Sequence, residues 1–267
     1  MDASFEAHRG RRGLFTTDVS SYRDGRPGYP EVVFAILREQ CGLAPGRRVL
    51  EIGPGTGQAT GPLLDAGASV IAIELGAELA DHLRSTFVGR DLRVIGGAFE
   101  EVTISPGSYD LVAAATSFHW VPPDQGPRRA ADALRPGGWL ALWWSYFGDP
   151  DRPDPFREAL EEVLARLEPS LLDVAGTQPY ALDTKARVAE LDATGCFGPV
   201  HHEVVPWTGH HTPRELRAMF ASFSPWLALP EEPRAQLLDE IERLAAVDFG
   251  GVVERPYLTS IYTAERR

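Results

Sequence analysis

Glu51 stands two residues before Gly53, and Gly53, Gly55 and Gly57 follow at alternate positions in Val49-Leu50-Glu51-Ile52-Gly53-Pro54-Gly55-Thr56-Gly57. The apolar run before the glycines reads as a strand. Gln58 to Ala66 has helical composition apart from Gly61-Pro62 in its first turns. A glycine loop between strand and helix lies outside the carboxyl end of the strand, where open α/β sheets bind ligands. Glycines this close let the backbone lie flat against a ligand and take positive φ. A dinucleotide loop needs glycine at its first, third and sixth positions. The sixth position is Gln58 counted from Gly53 and Thr60 counted from Gly55, so a pyrophosphate is disfavoured.

Other segments carry chemistry in the same order along the chain. Val70-Ile71-Ala72-Ile73-Glu74 is a second apolar run ending in an acid, and Glu74 suits a carboxylate that accepts both hydroxyls of a ribose. Tyr109 to Ala115 is a further apolar run, and Thr116-Ser117-Phe118-His119-Trp120 follows it. Leu134-Arg135-Pro136-Gly137-Gly138-Trp139-Leu140 leads into another. His119 has the residue type of a general base for a hydroxyl or an acidic carbon. It is equally able to hydrogen-bond a backbone carbonyl while Phe118 and Trp120 pack.

Together, over roughly residues 20–145, these segments resemble the class I S-adenosylmethionine-dependent methyltransferases, in the small-molecule group of type 11-like members. The glycine loop resembles their motif I, Tyr109–Trp120 their fourth strand and the loop after it, and Leu134–Leu140 their L-x-P-G-G approach to the fifth strand. The resemblance implies an α/β fold: one doubly wound, mostly parallel seven-stranded sheet with strand seven antiparallel and a helical insertion between strands five and six. It implies S-adenosylmethionine as cofactor and methyl transfer to a small organic molecule, at oxygen or carbon. Gly53, Gly55 and Gly57 would hold the methionine portion, together with Glu51, which is also suited to orienting the loop N–H groups from behind. Glu74 would hold the ribose. Ala98 and Phe99 would meet the adenine, with Leu75 and Ala115 completing the cofactor contacts. Ala98 stands where the family usually has Asp, so adenine recognition falls to backbone groups or to Glu100.

Tyr22-Arg23-Asp24-Gly25-Arg26-Pro27-Gly28-Tyr29-Pro30 resembles the family's Y-x-x-x-R-P-x-Y-P segment, which lies across the cofactor pocket. Tyr22 and Arg26 are thereby candidates for touching cofactor or substrate, with Phe118 and Trp120 on the acceptor side. A packing loop whose Arg26 pairs with a surface acid fits the residues as well.

Elements that position these residues follow from periodicity. Helices are expected at 31–40, 76–87, 124–134, 156–172, 185–193, 213–220 and 231–246, and strands at 48–52, 68–73, 92–95, 138–146, 201–205 and 257–263. Residues 1–30 read as an N-terminal segment and lid, and 31–267 as a single domain in which 150–195 is a helical, substrate-shaping insertion.

Composition narrows the classes. The 267 residues carry a formal net charge of −12, against binding to long stretches of nucleic-acid backbone. Cys41 and Cys196 fit no metal spacing, and a cytoplasmic home is the simplest expectation. No apolar run reaches the length of a membrane span, and no metal is expected. His201-His202 and His210-His211 offer at most one ligand each to a given site, because neighbours on a strand point to opposite faces. A homo-oligomer stays open. So do two other readings: a protein of this fold that binds S-adenosylmethionine without methyl transfer, and a nicotinamide-dependent oxidoreductase.

Overall fold

The computed structural model describes residues 25–172 and 179–267. The expected Tyr22 contact therefore lies outside the described residues. Seven strands form one sheet in the order β3-β2-β1-β4-β5-β7-β6. They are β1 (Arg48–Ile52), β2 (Ser69–Glu74), β3 (Leu92–Gly96), β4 (Tyr109–Ala115), β5 (Leu134–Tyr146), β6 (His201–His211) and β7 (Val253–Glu265). β1 to β5 run parallel, and β7 is antiparallel to both β5 and β6. The chain moves outward from β1 to β3, then returns to place β4 on the other side of β1. That reversal makes the crevice between β1 and β4 the switch point of the sheet, where its ligand belongs.

The helix before β1, α1 (Glu31–Glu39), buries Val33, Phe34, Ile36 and Leu37. Their spacing makes one stripe, and each buried side chain contributes about 1.5–3 kcal/mol against that face of the sheet. The other crossovers are α2 (Thr60–Asp65), α3 (Ala77–Thr86) and α4 (Gly126–Ala133). β1 and β4 are buried on both faces, as covered parallel strands must be. β3 departs from the expectation of two apolar faces: as the edge strand, its side chains are half-buried or exposed.

A second helical layer comes from two crossovers. From the β5–β6 connection, α5 (Pro155–Leu167) joins α7 (Pro213–Ala221), α8 (Ser224–Leu227) and α9 (Glu231–Val247) of the β6–β7 connection in a separate apolar cluster. By contrast α6 (Thr184–Asp192) puts Leu191 into the cluster beneath the sheet. Residues 150–195 thus divide between two cores.

β6 runs to His211, beyond the expected end at 205. Pro206 breaks the sequence pattern but is tolerated on an edge strand, where half of the backbone N–H groups face away from the sheet. Trp207 holds the extension by donating its indole N–H to Thr259 Oγ1 at 3.0 Å. β7 likewise extends past both ends of its aromatic and β-branched run.

Candidate active site

A cavity of about 290 Å³ opens at the carboxyl ends of β1 to β4. Gly53 and Gly55 form its floor, with φ of 64° and 59°. Side chains are excluded there on two grounds. Positive φ disfavours L residues, and a Cβ on Gly53 would stand 2.7 Å from Ser117 Cβ. Gly57, at φ 94°, leaves the same gap filled by Phe87, whose Cε2 would be 2.6 Å from an added Cβ. The result is a backbone cradle open to a ligand and closed to its own side chains.

Glu74 stands at the end of β2 beside the cradle and is buried. Its Oε2 accepts from the Gly55 N–H at 3.1 Å and its Oε1 from the Gly76 N–H at 2.8 Å. The two bonds fix the carboxylate plane while leaving each oxygen further lone-pair capacity. Burial raises its pKa, and the amides of Gly76 and Gly55 oppose that shift. The neighbouring walls are Leu75, which is exposed, and Ala98 and Phe99 after β3.

On the β4 side the wall begins at Thr116. Its φ of 54° is strained for a β-branched residue, and two contacts hold it there. Its N–H donates to the Trp143 carbonyl at 2.7 Å, and its Oγ1 lies 2.9 Å from the Tyr29 hydroxyl. Ser117 donates to the Ile52 carbonyl at 2.5 Å, tying this loop to β1. A single 3-10 turn, Phe118–Trp120, then presents His119 and Trp120 to the cavity. The indole N–H of buried Trp144 donates to His119 Nδ1 at 3.0 Å.

Arg26 closes the cavity from the side of the helical layer. Its Nε donates to Ser222 Oγ at 3.0 Å, and its guanidinium lies 4.8 Å from the centroid of Phe223 and 5.4 Å from that of Phe147. The expected ion pair with a surface acid is not the arrangement printed by these contacts; a serine and two rings hold the guanidinium instead. Gly25 beside it lies so close to α7 that a Cβ would meet the backbone of Ala218 and Met219 at 2.2 Å.

Several residues singled out by sequence do not reach the cavity. Glu51 is fully buried behind the loop, its Oε2 accepting from Thr60 Oγ1 at 2.7 Å, so it is not part of the wall. Phe118 turns inward against Phe99, with ring centroids 6.5 Å apart, and leaves the wall to its neighbours. Ala115 is the last residue of β4, and the wall starts one residue later because the turn at Thr116 aims the chain at the cavity. Sequence reasoning passed over Thr116, Ser117, Val121 and Ser224, all of which line it. Position just past a strand end was the available signal for the first two, and Ser224 carries none. Among the described residues no three His, Cys, Asp or Glu side chains gather as a metal site. The paired histidines serve packing: His202 stacks on Tyr262 at 4.3 Å, and His211 Nε2 lies 2.9 Å from the Tyr257 hydroxyl.

Comparison with known proteins fits this geometry. A family model described as a methyltransferase domain matches residues 50–142, which span β1 to β5. An uncharacterized methyltransferase of Mycobacterium tuberculosis is 32% identical over 233 residues, covering 87% of this chain and 85% of that one. A methyltransferase-like protein of Schizosaccharomyces pombe is 28% identical over 236 residues, covering 86% and 85%. Among solved structures, the phosphoethanolamine N-methyltransferase 2 of Haemonchus contortus, in complex with phosphomonomethylethanolamine and S-adenosylhomocysteine, superposes with a TM-score of 0.57 at 17% identity. It covers 99% of this chain and 60% of its own, and at that identity the likeness speaks for the fold. The Mycobacterium match runs well outside the shared domain and through most of both chains, and with it the chain belongs to the class I S-adenosylmethionine-dependent methyltransferases.

Proposed function

We propose that the protein transfers the methyl group of S-adenosylmethionine to a small organic molecule, at oxygen or carbon. The observation that carries this reading is the continuity of the cavity. One space takes in the Gly53–Gly55 cradle and Glu74 at one end and His119, Trp120, Arg26 and Ser224 at the other. The first set suits the cofactor: Gly53 and Gly55 against its methionine portion, Glu74 against the ribose hydroxyls, Ala98 and Phe99 beside the adenine with Leu75 over it. Glu51 supports that loop from behind, and Gly57 allows it to pass α3. The second set is left to an acceptor. When bound, S-adenosylmethionine supplies a methyl group already activated on a sulfonium. The chain therefore has to align the acceptor and exclude water rather than supply strong chemistry.

A small acceptor is favoured by the enclosure of the cavity, which lies at the lower end of the volumes that hold small molecules. The ubiquinone biosynthesis O-methyltransferase of Bordetella bronchiseptica is 31% identical over 183 residues, or 63% of this chain, and lends weight to oxygen. A net charge of −12 argues against nucleic acid, and a salt-sensitive complex with duplex DNA or RNA at micromolar protein would overturn the small-molecule reading. No helix among the described residues is long and apolar enough to cross a membrane. Both cysteines are free, in keeping with a cytoplasmic setting.

Calorimetry tests the cofactor half. S-adenosylhomocysteine should bind and raise the melting temperature. Glu74→Ala should weaken that binding about ten- to a hundredfold, the order expected for losing a charged acceptor of hydrogen bonds. Because Glu74 also holds the Gly55 and Gly76 amides, a 2′-deoxy analogue separates the two roles. The analogue should bind the wild type more weakly than S-adenosylhomocysteine does, and the variant should lose that discrimination. A folded variant that still discriminates would place the ribose elsewhere.

A further inference from the structure

Trp144 decides which nitrogen of His119 carries a proton. An indole N–H only donates, so Nδ1, which receives it at 3.0 Å, has to be unprotonated. The neutral imidazole then carries its proton on Nε2. Trp144 is itself fixed, buried in the main core and packed edge-on against Tyr262 and Tyr180 with ring centroids 6.0 and 5.3 Å away. His119 is held between these rings, 4.7 Å from the Trp120 centroid and 5.7 Å from that of Tyr180. Nδ1 is thus turned to the core, and the cavity-lining edge is the one with a proton to give.

This arrangement is wrong for a general base. A base needs an unprotonated nitrogen facing the acceptor, and His119 with both nitrogens unprotonated would be an anion. Taking a proton on Nδ1 instead would set that N–H against the indole N–H, donor to donor. The other titratable residues of the wall offer no ready substitute. Glu74 has both oxygens committed to backbone amides, Glu100 belongs to the cradle side with Ala98 and Phe99, and Arg26 is a donor.

We propose that His119 meets the methyl acceptor as an Nε2–H hydrogen-bond donor, with Trp144 as the positioning residue that sets the tautomer, and that the acceptor is an organic carboxylate. The inference rests on the methyltransferase reading above and names its substrate class. A carboxylate arrives ionised at neutral pH and needs no base. It also has two equivalent oxygens, so one can accept from His119 while the other attacks. A lone pair of the free oxygen forms the new O–C bond as the S–C bond breaks and its electron pair returns to sulfur. A carboxylate and a sulfonium become a neutral ester and a neutral thioether, and no proton has to move. A phenolate has one oxygen, and a hydrogen bond to it would blunt the nucleophile itself. The guanidinium of Arg26 on the same cavity gives the acceptor end a positive potential.

The experiment has two arms, both on the full chain. In the first, nitrogen NMR of histidine-labelled protein, assigned by the signal missing in His119→Gln, should find His119 as the Nε2–H tautomer. Trp144→Phe should mix the tautomers. A His119 protonated on Nδ1 in the wild type overturns the proposal whatever the acceptor. In the second, release of S-adenosylhomocysteine is followed with matched carboxylic acids, their amides, and phenols. Carboxylates should turn over, amides should not, and kcat/KM should be level from about pH 6 to 9 because no base titrates. His119→Gln, which restores an N–H donor, should stay within about threefold of wild type, while His119→Ala should fall about ten- to a hundredfold. Turnover of phenols or alcohols with no carboxylate turned over, a rate that falls below neutral pH alike for all acceptors, or equal loss in the Gln and Ala variants would each overturn the proposal. Calorimetry with S-adenosylhomocysteine keeps the two levels apart. If the wild type fails to bind it, the methyltransferase reading fails. If binding is intact in the wild type and both His119 variants, an adverse result falls on the carboxylate proposal alone.

Discussion

Asp154→Asn should destabilise the protein by on the order of 3–5 kcal/mol, the usual cost of stripping a partner from a buried charge. Asp154 and Arg255 are both nearly inaccessible, and the guanidinium reaches the carboxylate with Nε at 3.0 Å and an Nη at 2.7 Å. The pair joins the helical layer to the sheet, because Asp154 is also the N-cap of α5, accepting from the Arg157 N–H at 3.0 Å, while Arg255 belongs to β7. Asparagine is a good N-cap, so the variant keeps the helix start and loses mainly the counter-charge. Arg255 then remains buried among Phe156, Phe220 and Tyr257 with the Phe147 carbonyl as its nearest neutral acceptor. Since the cost is an unpaired charge, Asp154→Asn with Arg255→Met should recover much of it. Denaturant unfolding of the two variants and the wild type measures this. A single variant as stable as wild type, or a double variant worse than the single, would show that the pair does not bind the layers.

The sheet and the cradle were legible in the sequence because their signals are local. An apolar run ending at an acid and a glycine triplet fix a strand, a turn and positive φ together, and Gly53, Gly55 and Gly57 all have it. Contacts made across the fold left no such trace. That Trp144 rather than solvent faces His119 depends on β4 lying beside β5, and neither residue type announces it. Arg26 looked available for a carboxylate in the chain, yet Ser222, which holds it, is 196 residues away. Likewise 150–195 reads as one insertion by position. Its helices part company because the stripe of α5 fits the faces of α7 and α9, while Leu191 of α6 fits beneath the sheet. Pro206 hid the far half of β6, since only sheet order reveals that the strand is an edge.

Glu51→Gln should change how stability depends on pH. Glu51 is fully buried on β1, with one oxygen bonded to Thr60 and Oε1 without a partner. Burial pushes its pKa up from the model-peptide range to about 7, the Thr60 bond pulls it back, and the Glu74 charge adds to the rise. An acid whose pKa is higher folded than unfolded holds more protons in the native state between those two values. Stability therefore falls as pH rises through that window, from about 4.5 to about 7, and levels off above it. A difference of this size is worth on the order of 3 kcal/mol. Glutamine keeps the oxygen that Thr60 needs and cannot ionise, so the variant should lack that fall. Thermal melts at pH 5 and pH 8 compare the two chains. The stability of the variant relative to wild type should rise by several degrees between them, roughly 2–4 °C per kcal/mol for a chain of this size. A relative stability that stays constant, or moves the other way, would mean that Glu51 ionises without cost in the folded state. Repeating the melts with saturating S-adenosylhomocysteine separates direct contact from support of the loop. Glu51 does not line the cavity, so the pH-dependent difference should survive saturation. Its disappearance would mean that the carboxylate reaches the ligand itself, and that the glycine loop moves to let it do so.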